Sequence, residues 1–270
     1  MRRLLVSIGL IGLLAAPARA EVSELRVAKQ YGLAYLQLIL MEDQRLIEKH
    51  AKAAALGDIA VTWATFRSSD VMNDSLIAGT VDFVCVGTPG LATIWAKTRG
   101  TIDVRGAAGL NAVPVHLITR NPAVKTLRDF TDKDRIALPA VKVSIQAIFL
   151  QMAAAKEFGP GNYAKLDPLT VSMAHPDAFA ALTGGQSEIT AHFASPPFSY
   201  REMARPELRV VLKSYDVIGG KMSFNVVAAT NKFRATNPKL YGAFLAALEE
   251  ATASINADKR AAAEAYLRVT

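Results

Sequence analysis

The stretch IALPAVKVSIQAIFLQMAAAKEFG, Ile136–Gly159, decides the fold class because it joins an apolar strand to an apolar helix through a polar turn. The strand is Ile136–Leu138, and the helix begins at Ser144, a residue type common at N-caps. The turn places Lys142, Ser144 and Gln146 beside helix-start N–H groups, which lack partners within the helix and attract anions and other acceptors. Two interpretations stay open at this point: a simple N-cap and a ligand-binding loop.

The same strand–loop–helix unit recurs in the first part of the chain. Strands are predicted at Glu24–Ala28, Ile59–Phe66 and Asp82–Val86, and the last of these is a continuous apolar run, as expected of a strand buried on both faces. The first strand is followed by an amphipathic segment that predicts one helix over Leu33–Ala55. Apolar strands that alternate with helices predict an α/β fold with a largely parallel sheet.

The pattern starts again at the strand-like segment Val113–Arg120 and continues with a second series of strands and helices. We therefore expect two α/β lobes of similar size, with the boundary near Thr119–Pro122. The length of the chain fits one large domain or two of roughly 100–150 residues each.

The first twenty residues, MRRLLVSIGLIGLLAAPARA, have the features of a secretory signal. Two arginines precede an apolar run, Leu4–Ala16, and Ala18-Arg19-Ala20 forms a cleavage site, so residues 1–20 are predicted to be removed after Ala20. The apolar run is shorter than the roughly 18 residues of a membrane span. Removing this segment leaves 28 basic against 24 acidic residues and lowers the net charge from +7 to +4. The basic residues are scattered, so we expect no nucleic-acid partner.

Neither a catalytic motif nor a metal motif stands out. His50 and His116 have no carboxylate or histidine at metal-ligand spacing, so no metal site is expected. There is no serine–histidine–acid order, nucleotide fingerprint or paired-carboxylate motif, so no catalytic residue and no cofactor are expected. His175 precedes a helix-opening proline and is predicted to be a capping or surface residue. Cys85, the only cysteine, lies inside an apolar strand and is predicted to be a buried, inert thiol.

Polar loops follow several of the predicted strands: KQYG, FRSSD, VGTPG, PAVKVS and HFASPPF. In open α/β sheets the ligand lies beyond the carboxyl ends of the strands, where such loops gather, and between two lobes the natural site is the cleft. This convergence favours the ligand-binding interpretation for the loop Lys142–Gln146.

Four segments, together with the signal segment, carry a resemblance to a known family. They are VAKQYGLAYLQL (residues 27–38), GTVDFVCVGTPG (79–90), RIALPAVKVSIQ (135–146) and SEITAHFASPPF (187–198). By their order and spacing they resemble the substrate-binding proteins of bacterial ABC importers, and within them the nitrate/sulfonate/taurine group. The resemblance covers nearly all of the chain after residue 20. In many relatives the loop at Ala140–Ser144 is richer in glycine and in serine or threonine.

The resemblance implies a two-lobed, type II-like periplasmic binding protein fold, in which each lobe is a mostly parallel sheet flanked by helices and hinge closure clamps the ligand. It implies lobe 1 at residues 21–118 plus 228–270 and lobe 2 at residues 119–227, with the segment from Ser223 as the return crossing. It also implies a monomeric periplasmic receptor that captures a small solute, such as a sulfonate, taurine or nitrate, and delivers it to a membrane permease.

The candidate ligand-binding residues lie on the strand-end loops and on the return crossing. They are Gln30, Tyr31, Gly87, Thr88, Lys142, Ser144, Gln146, His192, Ser195 and Asn225. Several have a structural alternative. Tyr31 could pack against the helix it precedes, Gly87 could only ease a tight turn, and His192 could be a structural hydrogen-bonding residue.

Two other functions stay open. An enzyme of the pyrimidine-synthase type shares the fold but uses a cysteine-rich motif and a pyridoxal cofactor, and the single Cys85 and the export signal argue against it. A ligand-sensing subunit of a membrane receptor would have the same cleft and a different partner. We expect a binding protein without catalytic activity.

Overall fold

The computed structural model describes residues 20–270, so the predicted signal segment, apart from Ala20, lies outside the described residues. Within residues 20–270, no helix combines the length and the apolar character needed to cross a bilayer.

Two five-stranded sheets form the framework. The first sheet contains β1 (Glu24–Lys29), β2 (Ala60–Thr65), β3 (Phe83–Gly87), β4 (Val104–Asn111) and β10 (Asn225–Thr230) in the order β2-β1-β3-β10-β4. The second sheet contains β5 (His116–Thr119), β6 (Ile136–Leu138), β7 (Thr170–Ser172), β8 (Ala191–Ala194) and β9 (Arg209–Lys213) in the order β7-β6-β8-β5-β9.

Each sheet is mostly parallel and contains one reversed strand. In the first sheet β10 runs antiparallel to both β3 and β4, and in the second sheet β5 runs antiparallel to both β8 and β9. The reversed strand is in each case the one that the chain enters from the other sheet. The carboxyl ends of the parallel strands of both sheets face the cleft. A chain that crosses the cleft therefore enters the other sheet at that edge, and its first strand there runs antiparallel to its neighbours.

Helices cover the faces of both sheets. Around the first sheet lie α1 (Leu36–Asp43), α2 (Leu46–Ala53), α3 (Ser69–Ile77), α4 (Thr88–Thr98), α9 (Asn231–Thr236), α10 (Pro238–Ala257) and α11 (Lys259–Val269). Around the second lie α5 (Ile145–Phe158), α6 (His175–Gly184), α7 (Phe198–Met203) and α8 (Ser214–Ile218). Short 3-10 helices occupy Leu33–Tyr35, Leu127–Asp129, Pro160–Asn162 and Asp167–Leu169.

The strand β3 shows how the apolar sequence builds the core. All its residues are buried, as the continuous apolar run predicts. On one face Phe83 stacks on Phe244 of α10, with the ring centroids 3.9 Å apart. On the other face Val84 and Val86 join the cluster that contains Met72 of α3. Alternate residues of one strand therefore hold helices on both sides of the sheet.

The single helix predicted over Leu33–Ala55 is wrong. The chain forms the 3-10 turn Leu33–Tyr35, then α1 and α2, and the break lies at Gln44–Arg45. Arg45 adopts a left-handed conformation with φ 51°, which ends one helix and turns the chain into the next. Hydrophobic periodicity could not show this break, because the apolar positions on both sides keep a helical spacing.

The sheet membership of two strands bears on the division into lobes. His116–Thr119 pairs within the second sheet and Asn225–Thr230 within the first, a few residues away from the boundaries expected at residues 118–119 and 227–228. We propose that the chain crosses between the lobes at residues 112–115 and 219–224.

Candidate functional site

A small cavity lies between the two sheets, at the carboxyl ends of their parallel strands. Its volume is about 20 Å³, room for little more than one water-sized molecule. The first sheet and its helices contribute Gln30, Ala34, Tyr35, Ser69, Gly87, Phe224 and Asn225. The second sheet and its helices contribute Pro139, Ser144, Ile145, Gln146, His175 and Ser195. The cavity is therefore shared by both lobes.

Four helices begin at the cavity wall. Ser69 is the first residue of α3, Gly87 is the N-cap of α4, Ser144 is the N-cap of α5, and His175 is the first residue of α6. Two of these helices belong to each lobe. Because the N-terminus of a helix carries a partial positive charge and unpaired N–H groups, the arrangement favours a negatively charged or acceptor-rich occupant.

Ser144 both caps α5 and lines the cavity. Its hydroxyl accepts a hydrogen bond from the Ala147 N–H at 3.2 Å, and its carbonyl accepts from the Ile148 N–H at 3.0 Å. The N–H groups of Ile145 and Gln146, the two residues that follow Ser144, have no acceptor within the helix by position. The cap thus satisfies the later donors of the first turn and leaves the first two beside the cavity.

Two side-chain amides are fixed in the opposite wall. The Gln30 Nε2 donates to the Ser69 Oγ at 3.2 Å, and the Asn225 Nδ2 donates to the Ala34 carbonyl at 3.1 Å. The side chains of Gln30, Ser69 and Asn225 are all buried. Held amides give a ligand polar partners without a large cost in side-chain entropy on binding.

A chain of buried polar groups leads from the cavity into the second lobe. The Gln146 Nε2 lies 3.2 Å from the His175 Nε2, and the His175 Nδ1 lies 2.8 Å from the His192 Nε2. The His192 Nδ1 then lies 2.6 Å from the Glu202 Oε1. His192 and Glu202 are completely buried, whereas His175 reaches the cavity wall. We call His175, His192 and Glu202 the His–His–Glu chain.

Burial shifts the pKa of every member of the His–His–Glu chain in the direction that favours the neutral form of the group. It raises the pKa of the Glu202 carboxyl to about 8 and lowers the pKa of His192 to about 3. Burial, together with the neighbouring His192, lowers the pKa of His175 well below its usual value. At neutral pH the chain therefore holds a protonated carboxyl and two neutral rings.

Among residues 20–270, no lysine or arginine lines this cavity. Lys29 is buried nearby, but its Nζ pairs with the Glu42 Oε2 at 3.0 Å. Lys142 is exposed and lies outside the cavity wall. The titratable groups on the wall are Tyr35, whose pKa is raised mainly by burial, and His175.

The cavity brings together six of the ten candidate residues predicted from the sequence: Gln30, Gly87, Ser144, Gln146, Ser195 and Asn225. The other four do not line it. Tyr31 is 41% exposed, Lys142 is exposed and has φ 64°, and the Thr88 N–H donates to the Phe224 carbonyl at 3.2 Å. His192 lies behind His175, one hydrogen bond away from the wall.

The expectation that His175 is a capping or surface residue is wrong. The residue is 6% exposed, begins α6 without forming a side-chain cap, and contacts both Gln146 and His192. The proline after it does open a helix, as predicted, but that helix starts in the cleft rather than at the surface.

Sequence reasoning missed Tyr35, Ser69 and Glu202 as well. Ser69 stands in the polar loop FRSSD and is the first residue of α3, directly after the N-cap Ser68. Tyr35 sits one turn after the loop Gln30–Gly32 and gives no signal beyond an apolar helix start. Glu202 lies on the buried side of a short helix, and nothing in its neighbours distinguishes it from a surface glutamate.

The lobes contact each other directly beside the cavity. The Leu33 N–H donates to the Pro196 carbonyl at 2.9 Å. A Cβ built on Gly32 would lie 2.8 Å from the same carbonyl oxygen, and one on Gly87 would lie 3.3 Å from the Ile145 Cβ. Glycine at these two positions is what permits the close approach.

The prediction of a buried thiol agrees with the surroundings of Cys85, which is fully buried in β3 and whose pKa is raised by burial. Among residues 20–270 there is no cluster of histidine, cysteine, aspartate and glutamate that could hold a metal ion.

No protein-family model matches the sequence, and no curated protein is similar to it at a significant level. Solved structures are similar in fold. The alkanesulfonate-binding protein SsuA from Xanthomonas axonopodis pv. citri, bound to MOPS, is 18% identical with a TM-score of 0.71, over 93% of this chain and 80% of that one.

Two further solved structures are similar in fold. The periplasmic aliphatic sulphonate binding protein SsuA from Escherichia coli is 18% identical with a TM-score of 0.65, over 92% of this chain and 75% of that one. The periplasmic nitrate-binding protein NrtA from Synechocystis PCC 6803 is 16% identical with a TM-score of 0.65, over 86% of this chain and 61% of that one. The two mostly parallel sheets and these similarities confirm the predicted fold: the chain has the two-lobed α/β fold of the periplasmic binding proteins.

Proposed function

We propose that the protein is the solute-binding component of an ABC import system, which captures a small solute between its lobes and delivers it to a membrane permease. The observation that carries this proposal is the cavity at the carboxyl ends of both sheets, to which each lobe contributes polar side chains and helix N-termini. The similarity of fold to sulfonate- and nitrate-binding proteins supports it. The predicted signal segment agrees with a periplasmic location.

The solute is proposed to be small and anionic, of the sulfonate, taurine or nitrate kind. The N-termini of α3, α4, α5 and α6 all meet the cavity, and each favours a negative charge. Gln30, Ser195 and Asn225 add neutral hydrogen-bonding groups. An anion held in this way would be neutralised by dipoles and hydrogen bonds rather than by a cationic side chain of the wall.

Binding is proposed to involve opening and closure of the lobes. A cavity of about 20 Å³ is too small for an alkylsulfonate, so the lobes have to separate before such a solute can enter. The two crossings at residues 112–115 and 219–224 are the segments about which this movement would occur. The contact between Leu33 and Pro196 would break on opening and form again on closure.

Catalysis is not part of the proposal. The pyrimidine-synthase alternative needs a cysteine-rich motif, and the sequence contains only Cys85, which is buried in β3. The Ser144 hydroxyl, which lines the cavity, is engaged as a cap, and no histidine among residues 20–270 is hydrogen-bonded to it as a base. Sensing for a membrane receptor would use the same cleft, and the partner protein would distinguish it from transport.

A thermal-shift screen of the mature protein tests solute binding. The panel contains nitrate, sulfate, ethanesulfonate, taurine and benzoate as sodium or free-acid forms, with sodium chloride as the salt control. A true ligand at about 100 times its Kd should stabilise the folded state by about 2.7 kcal/mol and raise the melting temperature by several degrees.

A pair of variants shows whether the stabilisation comes from the cleft. Gln30→Ala removes a cavity wall group and should lose the shift, whereas Gln186→Ala, at an exposed position, should keep it. The proposal fails if no compound of the panel stabilises the protein, or if both variants retain the full shift.

A further inference from the structure

The His–His–Glu chain contains a buried carboxyl group that is only partly satisfied. A buried carboxyl group is costly unless its oxygens are satisfied, and the Glu202 Oε2 has no hydrogen-bond partner among residues 20–270. Within the same range the Ser199 hydroxyl, on the same helix, is also buried without a partner. A glutamate in such surroundings, connected through two imidazoles to the cavity wall, suggests a role at the cavity.

The chain can hold its hydrogen bonds in two ways that differ by one proton. In the acid form the Glu202 carboxyl donates to the His192 Nδ1, the His192 Nε2–H donates to the His175 Nδ1, and the His175 Nε2–H points to the cavity end. In the alkaline form the Glu202 carboxylate accepts from the His192 Nδ1–H, and the His192 Nε2 accepts from the His175 Nδ1–H. The His175 Nε2 is then a bare acceptor.

The geometry permits both forms without movement of the rings. The two inner distances, 2.8 Å and 2.6 Å, are hydrogen-bond lengths whichever atom carries the proton. At the cavity end the Gln146 Nε2, 3.2 Å away, can donate to the bare His175 Nε2 in the alkaline form. In the acid form both groups would donate, so the amide has to turn aside and the His175 N–H is left for a ligand oxygen. A proton gained at Glu202 therefore appears at the cavity as a change from acceptor to donor.

We propose that the His–His–Glu chain determines the ligand class of the cleft: an anion that can only accept hydrogen bonds binds to the acid form, in which the His175 Nε2 donates, and binding takes up one proton from the solvent when the His–His–Glu chain starts in its alkaline form. This inference rests on the proposed solute-binding function and deepens it. The relevant ligands are sulfonates, sulfate and nitrate, whose oxygen atoms are all acceptors.

The charge on the cavity supports this choice of ligand. In the acid form the chain is neutral and presents an N–H donor. In the alkaline form it carries a buried negative charge and presents a lone pair, and both oppose an anion. Among residues 20–270 no cationic side chain lines the wall, and of its two titratable groups, Tyr35 and His175, the latter is the one hydrogen-bonded toward a buried carboxyl group. The raised pKa of Glu202, about 8, makes the acid form the main one at neutral pH.

Among residues 20–270, the elements packed around the His–His–Glu chain supply no charged partner for it. On α6 Asp177 is exposed, and on β5 the pKa of His116 is lowered mainly by burial and by Lys213, not by the His–His–Glu chain. On α7 the Arg201 guanidinium lies 4.3 Å from the centroid of the Phe179 ring, and just after α7 Arg205 pairs with Glu207 at 3.3 Å. The strand neighbours of His192, Ala137 on β6 and Ile118 on β5, are apolar. The chain therefore titrates as one unit through its own groups.

The ligand-free protein gives the first test. Nitrogen-15 spectra of histidine-labelled protein report which ring nitrogen carries the proton. The protein sequence contains four histidines, so the variants His50→Gln and His116→Gln assign the signals of the other two. We expect the His175 Nε2 to change from protonated to unprotonated between about pH 6 and about pH 10, with the His192 tautomer changing together with it. Glu202→Gln should abolish this titration.

Calorimetric titration with ethanesulfonate, and with nitrate as a second probe, gives the second test. Measurements in two buffers of different ionisation enthalpy count the protons taken up. We expect uptake near zero at about pH 6 and approaching one at about pH 9, with affinity falling by up to about tenfold per pH unit above the titration of the chain. Glu202→Gln should bind with an affinity that is independent of pH in this range.

The matched control is Glu250→Gln. It alters another His–Glu pair, in which the His50 Nε2 lies 2.7 Å from the Glu250 Oε2, on the outside of the first lobe. This variant should retain both the proton uptake and the pH dependence of the wild type. If the pH dependence disappeared in both variants, the inference would be wrong.

The outcomes separate this inference from the proposed function. Binding of ethanesulfonate or nitrate without proton uptake at about pH 9, or a His175 ring that keeps one tautomer throughout, would overturn the inference and leave solute binding intact. If neither probe binds although the tautomers switch, solute binding as proposed fails, and the assignment of the ligand class fails with it.

Discussion

The hydroxyl group of Ser144 has two roles. It accepts the Ala147 N–H as the N-cap of α5, and it lines the cavity between the lobes. A hydroxyl can accept a backbone bond with one lone pair and still donate its hydrogen to a ligand oxygen, so the two roles are compatible. The two interpretations of the opening stretch of sequence are therefore not exclusive.

Ser144→Ala should reduce both stability and affinity. Loss of the cap should lower the free energy of unfolding by about 0.5–2 kcal/mol. Loss of the hydrogen bond to an anion should weaken binding of ethanesulfonate by about tenfold or more. Urea unfolding and calorimetric titration measure the two effects separately.

Thr230→Ala is the matched control for this change. Thr230 caps α9 by accepting the Phe233 N–H at 3.0 Å, the same type of bond, but it is not part of the cavity wall. It should lose stability and keep its affinity. Intact affinity in Ser144→Ala as well would return Ser144 to the role of a cap alone.

At the scale of the element, α10 depends on residues at the start of the described chain. The Glu21 carboxylate accepts the Lys239 N–H at 2.9 Å and the Leu240 N–H at 2.8 Å, and the Val22 N–H donates to the Asn237 Oδ1 at 2.9 Å. Two first-turn donors of the longest helix are thus satisfied by an anion at the positive end of its dipole. This helix packs on α1 and α2 and carries Phe244 onto β3.

Glu21→Ala should lower the free energy of unfolding by about 0.5–2 kcal/mol, since it leaves both N–H groups of α10 without an acceptor and removes a favourable charge. Glu188→Ala, at an exposed glutamate with no hydrogen bond or ion pair to any residue in the described range 20–270, should change stability by less than about 0.5 kcal/mol. Urea unfolding of the two variants decides the matter. Equal effects would show that Glu21 contributes nothing specific.

At the scale of the whole molecule, the approach of the lobes depends on Gly32. Its φ of 105° lies in a region that favours glycine, and a side chain there would meet the Pro196 carbonyl of the other lobe at 2.8 Å. The Leu33 N–H binds that same carbonyl. Gly32 therefore lies at a direct backbone contact between the two lobes, and we propose that this contact forms when the cleft closes.

Gly32→Ala should prevent full closure and weaken binding of ethanesulfonate by at least about tenfold, because the added Cβ pushes the carbonyl away and breaks the contact between the lobes. Small-angle X-ray scattering with the ligand present should show a larger radius of gyration than for the wild type. Titration calorimetry gives the affinity.

Gly159→Ala separates the clash from the backbone strain. Gly159 has a similar conformation, φ 93° and ψ 151° against φ 105° and ψ 171° for Gly32, but no atom lies within 4 Å of its Cβ position. Both variants should lose stability, and only Gly32→Ala should lose closure. Similar affinities in the two variants would contradict a role of Gly32 in closing the cleft.

Much of the architecture follows from local sequence patterns. The apolar run of β3, the strand–loop–helix unit around Ser144 and the polar loops after the strands are visible in one dimension, because the hydrophobic period and the capping preferences act over a few residues. Gln30, Gly87 and Gln146 could be placed at the cavity for the same reason: parallel strands bring their carboxyl ends to one edge.

The tertiary structure alone decided the remaining features. The strand β4 is formed largely of small residues with a weak strand preference, and its pairing with β10 from the far end of the chain makes it a strand. His175, His192 and Glu202 are separated by 17 and 10 residues and come from two helices and a strand. Their alignment depends on how α6 and α7 pack on β8, and no periodicity records the direction of a buried hydrogen bond. Sequence patterns act along the chain, whereas the chemistry of this cleft depends on polar groups that meet only when both lobes have folded.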